Sequence, residues 1–300
     1  MAKGIYVGVN GIAHKVKKIY VGVNGIARKV KKIYVGVNGV TRLVWSSGAP
    51  AGQVIFTSSQ VWTVPEGVSK IDVFCVGGGA SGNYNSKGSY PVGGGGGGYT
   101  ATARNVYVAA GEKYSVTVGA GGTGYNGTSA STVGDGKASS FGSIVTANGG
   151  VSVVWGQGGN GGSGGGGSGS NGLDQVANGG AGGSDGSNGY RGTTASTGAN
   201  GGTGQSSTTR AFGESGNTLY AGGGGGAAAI QQFSNVIYGG TGGDDGGGAG
   251  HGNTQNMSGQ EPKPGTPNTG GGGGGTRSWG GWSTGVSGGS GIVIVRWADQ

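Results

Sequence analysis

The sequence is poor in most of what enzymes use. It has one cysteine, Cys75, and two histidines, His14 and His251. A lone cysteine makes no internal disulfide, and a zinc site or a Cys/His nucleophile would need most of this small inventory to coincide. Cys75 lies in the apolar run Ile71 to Val76 and reads as a small buried core residue. No two carboxylates stand at a spacing suggestive of glycoside hydrolysis. No G-x-x-x-x-G-K-[ST] loop is present, and the nearest pair, Gly136-Lys137, runs on into Ala138. Matches to G-x-G-x-x-G arise by chance in a chain this rich in glycine and carry no argument for a dinucleotide. Asp244-Asp245 stands alone, whereas calcium-binding Gly/Asp repeats come in arrays. These absences predict a protein that is not an enzyme and has no cofactor and no metal.

Membrane and linker classes are excluded in the same way. No apolar stretch approaches the roughly 18 residues of a membrane span. Met1-Ala2-Lys3-Gly4 leads directly into a strand pattern, so no signal peptide is expected and synthesis in a cytoplasm is. Charged residues make up 10% of the chain and prolines number 6, whereas disordered chains are enriched in Pro, Glu and Lys.

Glycine dominates, with 84 of 300 residues against a usual share of about 7%. The runs Gly93 to Gly98 and Gly271 to Gly275 break the every-third-residue frame of collagen. A flexible Gly/Ser linker would have no use for the 12 Tyr and 6 Trp scattered along the chain.

Charge is concentrated at the start. Residues 1–45 hold nine Lys/Arg and no acid, while the other ten Lys/Arg face all 11 Asp/Glu. The net +8 therefore belongs to the N-terminal segment. That segment is a 14-residue repeat beginning at Ile5, Ile19 and Ile33. Each copy sets Asn-Gly (10–11, 24–25, 38–39) between β-prone runs, the strongest short signal for a two-residue hairpin. Counting outward pairs Val9 with Ile12, Val7 with His14 and Ile5 with Val16 on one face. Gly8 with Ala13 and Tyr6 with Lys15 fall on the other. The apolar face wants cover from a partner, a symmetry mate or the body, because three hairpins hold too little core to stand alone.

After a linker at 46–52, residues 53–122 read as a small antiparallel β base. Its strand-like runs are 54–57, 61–64, 70–76, 99–108 and 113–118. Gly291 to Trp297, within the closing segment 290–300, reads as a central strand that completes this sheet. Between them, residues 123–289 form a glycine-rich body. Helix is disfavoured there by about 1 kcal/mol per Gly, and ordinary strands would lack side chains to pack. What remains is the extended helix of three residues per turn, hydrogen-bonded to its neighbours. The predicted fold class is all-β plus polyglycine II: hairpin repeats, a β base, and a lattice of glycine helices.

Two segments carry a resemblance. Val54 to Val68, followed by Ile71 to Gly79, resembles the opening of the glycine-rich domain of phage tail proteins. Ser290 to Trp297, after the oligoglycine at 270–275, resembles its close. The hairpin repeat is similar to repeats on phage structural proteins of Gram-positive hosts. The design as a whole resembles tail-fibre tip adhesins with a polyglycine sandwich, in which glycine segments form the frame and the loops between them touch the receptor. The basic hairpins in front depart from that pattern.

The resemblance implies a virion protein of the tail or fibre, a receptor-binding adhesin for host attachment. Its partners would be tail, fibre or other virion proteins through 1–45, and a host cell-surface glycan or protein through the loops. Phage fibres are commonly homotrimers, and single-subunit tip adhesins also exist. A tail or capsid decoration protein without a receptor is the alternative. The loops carried over by position are 83–92, 190–197, 205–220, 227–238, 251–268 and 277–282. Aromatic rings give rigid contact area at low entropic cost. The receptor-binding candidates are therefore Tyr84, Tyr90, Tyr190, Phe212, Tyr220, Phe233, Tyr238, Trp279 and Trp282, each weighed against packing on its own lattice. For attachment the candidates are Tyr6, Lys15, Tyr20, Lys29, Tyr34 and Arg42. Clustered Lys attracts polyanions, but an assembly or solvated face is preferred here to nucleic-acid binding.

Overall fold

A computed structural model describes residues 5–9, 11–16, 18–46, 48–82, 91–124, 134–152, 156–169, 178–184, 186–192, 202, 206–228, 238–252, 260–276 and 285–299. The fold is all-β. Among the described residues there is no α-helix, and the one helical element is a 3-10 turn at Ala211–Gly213.

The N-terminal repeat folds as three separate two-stranded sheets: β1 (Tyr6–Val9) with β2 (Ile12–Lys15), β3 (Tyr20–Val23) with β4 (Ile26–Lys29), and β5 (Lys32–Val37) with β6 (Val40–Ser46). The register is the one counted from the sequence, with Val9 opposite Ile12, Val7 opposite His14 and Tyr6 opposite Lys15. The reason is the turn. Asn24 and Gly25 have φ of 53° and 75°, and Asn38 and Gly39 have φ of 51° and 78°. Positive φ at both central residues gives a type I′ turn, whose twist matches that of the strands and fixes their pairing.

The base is a sandwich of two four-stranded antiparallel sheets. One has the order β10 (Thr100–Tyr107), β9 (Lys70–Val76), β14 (Ile292–Trp297), β7 (Gly52–Phe56). The other has the order β13 (Val145–Ala147), β12 (Ser139–Phe141), β11 (Lys113–Thr117), β8 (Gln60–Thr63). The C-terminal strand is central, as its apolar run predicts. The base also reaches further along the chain than residue 122, because β12 and β13 lie in the segment read as the glycine-rich body with its loops. Side chains alternate across β9. Ile71, Val73 and Cys75 enter the core between the sheets, with Val293 and Val295 of β14, Trp62 and Phe141. The Tyr114 and Phe141 rings stack there at 4.8 Å. Phe74 and Val76 point the other way and join Ile292 and Ile294 in a second core on the outer face.

Above the sandwich the glycine-rich runs pack side by side. The run 93–99 shows the rule. Gly94 and Gly97 donate their N–H groups to Gly166 and Ser163, Gly95 and Gly98 to Gly273 and Gly270, and Gly96 and Tyr99 to Val151 and Asn148. Its carbonyls accept from Gly159 and Gly162, from Gly224, and from Ala80 and Gly77. Every third residue thus meets the same neighbour, and six runs surround this one. That is the three-residue period expected of the extended helix. Buried peptide groups find partners in other runs, as a buried backbone requires. Glycine is needed because the runs are too close for a Cβ. One added at Gly97 would lie 1.9 Å from the Ala221 carbonyl oxygen, and one at Gly96 would lie 2.0 Å from that of Asn160.

Candidate functional site

The chain passes through the lattice out and back. Leaving β9, residues 77–82 run away from the sandwich, and 91–99 return antiparallel to them into β10, with Ala80 donating to Gly96 and Gly77 to Tyr99. The same happens after β11, where 119–124 leave and 134–138 return, and after β13, where 148–152 leave and 156–161 return. The later pairs repeat it without re-entering the sandwich until β14. Gly240 and Gly243 donate to Gly226 and Gly223, Lys263 and Thr266 to Ala249 and Gly246, and Gly289 to Gly271. Consequently the residues flanking 83–90, 125–133, 153–155, 170–177, 229–237, 253–259 and 277–284 stand at the lattice end far from the sandwich. So does Gly192 before 193–201, whereas Gly202 after it bonds Gly164 nearer the sandwich.

The hairpins leave from the opposite end. β7 is antiparallel to β14, with Gly52 opposite Trp297, so this pair lies at the edge of the sandwich remote from the lattice. There the Trp297 indole N–H donates to the Pro50 carbonyl at 2.9 Å, and the Ala51 N–H donates to Asp299 at 2.8 Å. The Lys32 ammonium of the third hairpin bonds the same carboxylate at 2.5 Å. That contact holds the Asp299 carboxyl below its ordinary range, with the Ala51 N–H adding to the effect. The order along the molecule is therefore hairpins, sandwich, lattice, far-end interruptions.

The candidate residues divide along this axis. Tyr190 and Tyr238 are exposed at the far end, the first beside exposed Arg191. Tyr84, Tyr90, Phe233, Trp279 and Trp282 lie outside the described residues. Phe212 and Tyr220 must be corrected. The stretch 206–221 belongs to the sandwich end, where it caps the outer face of β9 and β14. The Phe212 and Tyr220 rings pack on Phe74 at 5.7 and 5.6 Å and are 3% and 8% exposed. The bare apolar face of the sheet draws both rings in, so they are core rather than contact residues.

Of the attachment candidates, Tyr6, Tyr20, Tyr34 and Lys29 are exposed. The side chains of Lys15 and Arg42 lie outside the described residues; in the backbone register Lys15 pairs with Tyr6 and Arg42 with Val35. The opposite faces are open as well, with Val7, Val9, Ile12, Val21 and Ile26 all at least half exposed.

The cap is held by charges that sequence reasoning missed. Arg104 and Asn105 form a β-bulge opposite Asp72, since Ala103 pairs with Val73 and Val106 with Ile71. The Asp72 carboxylate accepts the Asn105 N–H at 2.8 Å and faces the Arg296 guanidinium at 3.2 Å. Arg296 also holds Glu214 of the cap with two nitrogens, at 2.7 and 2.5 Å. Arg104 reaches Glu214 at 3.3 Å and donates to the Phe212 carbonyl. The Arg296 fork holds the Glu214 carboxyl down at about 2, helped by Arg104 and Asn217 and opposed by desolvation. Separations of up to 224 residues leave no local signal for such a cluster.

Residues 55–298 match the family described as glycine-rich domain. The chain belongs to the glycine-rich domain family. The match covers the sandwich and the lattice together, from within β7 to just beyond β14, and leaves the hairpin repeat outside it. No curated protein matches the sequence. In this glycine-rich domain protein, the described residues contain no group of three or more His, Cys, Asp or Glu able to hold a metal ion. Among the described residues, no helix is long and apolar enough to cross a membrane.

Proposed function

We propose that this protein is a non-enzymatic virion component, an adhesin of a phage tail tip or fibre. It attaches through the hairpins at one end and meets the host cell surface through the far end of the lattice. The observation that carries the reading is the polarity of the molecule. The basic repeat is tethered at the outer edge of the sandwich, while both flanks of seven long interruptions, and Gly192 before the eighth, gather at the opposite end. A frame of cross-bonded glycine runs suits this division. Its buried backbone is fixed whatever sequence the interruptions carry, so contact residues can vary without disturbing the frame. Exposed Tyr190 and Tyr238 are the described contact residues at that end, suited to a sugar face or a protein patch.

The test uses the purified full chain and host cells. Saturable binding is expected, lost when segments 190–197 and 277–282 are exchanged for those of a homologue with another host range. Adsorption left intact by removal of the protein from the particle, together with no binding of the free chain to cells, overturns the adhesin reading and favours decoration.

A further inference from the structure

The hairpins are the part of the chain that its own fold leaves bare. In the first two, Val7, Val9 and Ile12, and again Val21, Val23 and Ile26, are between 39% and 63% exposed. The register places Val9 with Ile12 and Val23 with Ile26 next to the turn, and Val7 with His14 and Val21 with Arg28 further back. Each hairpin is therefore apolar toward its tip and basic toward its base, where Lys17-Lys18 and Lys31-Lys32 join it to the next.

We infer that the three hairpins are equivalent plugs for one homo-oligomeric protein partner, each seated in an apolar site with an acidic rim that the partner presents repeatedly. This rests on the attachment half of the proposed function. Four observations lead to it.

The first is repetition. Residues 5–18 and 19–32 differ only in His14 against Arg28. The third hairpin, though its second strand differs, keeps the pattern at the tip, Val37 opposite Val40 and Val35 opposite Arg42, so the three tips fit the same kind of site. A partner with identical sites in identical surroundings is a symmetric oligomer. The second is size. A hairpin of a dozen residues, such as 5–16, falls short of the roughly 20–30 residues that a stable interface uses on each side. Three together reach it. The third is reach. Only two residues separate Val16, which closes the first hairpin by donating to Ile5, from Ile19, which opens the second by accepting from Val30. Three residue steps span about 10 Å, so the sites must converge, as they do around a symmetry axis.

The fourth is charge. The segment holds nine cations and no acid, and of these Lys32 is met by Asp299 of the body; the excess repels a second copy of the segment and calls for an acidic rim. Nucleic acid would answer the cations but leave the Val and Ile faces uncovered. Lipid is disfavoured because each hairpin leads with an Asn-Gly turn, whose peptide groups would go unpaired in hydrocarbon.

The experiment uses the full chain with Ile12→Asp, Ile26→Asp and Val40→Asp, singly and combined. The probe is phage particles assembled without this chain; duplex DNA, phosphatidylglycerol vesicles and the chain itself are the comparisons. Thermal unfolding verifies that sandwich and lattice are unchanged in each variant. Each single substitution is expected to weaken particle binding about 10²-fold by loss of avidity. Pairs should weaken it further, and cross-linking should join one chain to more than one copy of the same particle protein. The proposal is overturned if single substitutions are silent, or if one removes as much binding as all three. It is also overturned if DNA, vesicles or self-association account for the binding. Free chain that still binds host cells while failing to bind particles sinks this inference and leaves the receptor reading standing. The reverse sinks the receptor reading alone.

Discussion

The guanidinium carbon of Arg296 lies 3.8 Å above the centroid of the Phe212 ring. Phe212 has φ of 57°, a left-handed conformation that a bulky residue adopts only under constraint. The constraint comes from three sides: Phe74 beneath the ring, Arg296 over it, and Arg104 on its carbonyl oxygen. Arg296→Lys keeps the charge but loses both the planar stack and the fork that grips Asp72 and Glu214. A loss of about 1–2 kcal/mol is expected. Hydrogen exchange should quicken first at Ala211, whose N–H donates to Thr218, and at Tyr220, whose N–H donates to Thr209. Uniform quickening across the sandwich would show that the clasp is not a local device.

Glu214 gives the clasp a pH dependence with a definite sign. Its carboxyl is held at about 2, first by the Arg296 hydrogen bonds, below the ordinary value of about 4.3. A depressed carboxylate contributes stability that is fully present above the unfolded value and is lost as pH falls through the folded one. The window is thus from about 4.3 down to about 2. The side chain is 39% exposed, so solvent screens the interaction and about 1 kcal/mol is the expected scale. The unfolding temperature of Glu214→Gln should lie below that of the parent at pH 7 and converge with it near pH 2. A gap that stays constant across this range contradicts the assignment.

Local patterns were readable in the sequence and long-range partnerships were not. The Asn-Gly turns dictate their hairpins because positive φ at two adjacent residues admits one connection, and the register of β1 and β2 follows by counting. β14 was visible as a central strand because its run is apolar on both faces. Elimination of helix and ordinary strand leaves a three-residue period for glycine runs, and the hydrogen-bond partners of 93–99 repeat every third residue. By contrast, β12 and β13 are three residues each, too short for an alternation to register. Phe212 and Tyr220 look like loop rings in the sequence because nothing near them shows that Phe74, Ile292 and Ile294 lie bare on the sheet they cover. The Asp72–Arg296–Glu214 cluster draws on three segments that only the completed fold brings together.

Cys75 offers a direct readout of the sandwich. Its thiol is fully buried between the sheets, and burial pushes it up to about 12. Thiolate is the reactive form, so Cys75 in the folded protein should resist a soluble disulfide reagent at pH 8 and react promptly once denaturant opens the sheets. Reaction tracking global unfolding marks the sandwich as the last unit to open. Rapid reaction in native buffer would mean that β9 and β14 separate on their own.

Three glycines separate the roles that this residue plays. At Gly97 φ is ordinary but a methyl group would lie 1.9 Å from the Ala221 carbonyl oxygen, a backbone atom of a run that is itself enclosed. Gly97→Ala must push two runs apart and disturb the bonds from Gly97 to Ser163 and from Ala221 to Thr269. A loss of at least about 3 kcal/mol is expected, at the upper end of overpacking. At Gly22, on β3, nothing lies within 4 Å and φ is again ordinary, so Gly22→Ala should change stability by less than about 0.5 kcal/mol. At Gly25 the space is equally open but φ is 75°. There Gly25→Ala should cost about 1–2 kcal/mol, confined to its own hairpin. Chemical denaturation measures the first and amide exchange within residues 19–30 the other two. If Gly97→Ala proved as mild as Gly22→Ala, close approach would not be the reason the body is built of glycine, and the close packing of its runs would lose its physical basis.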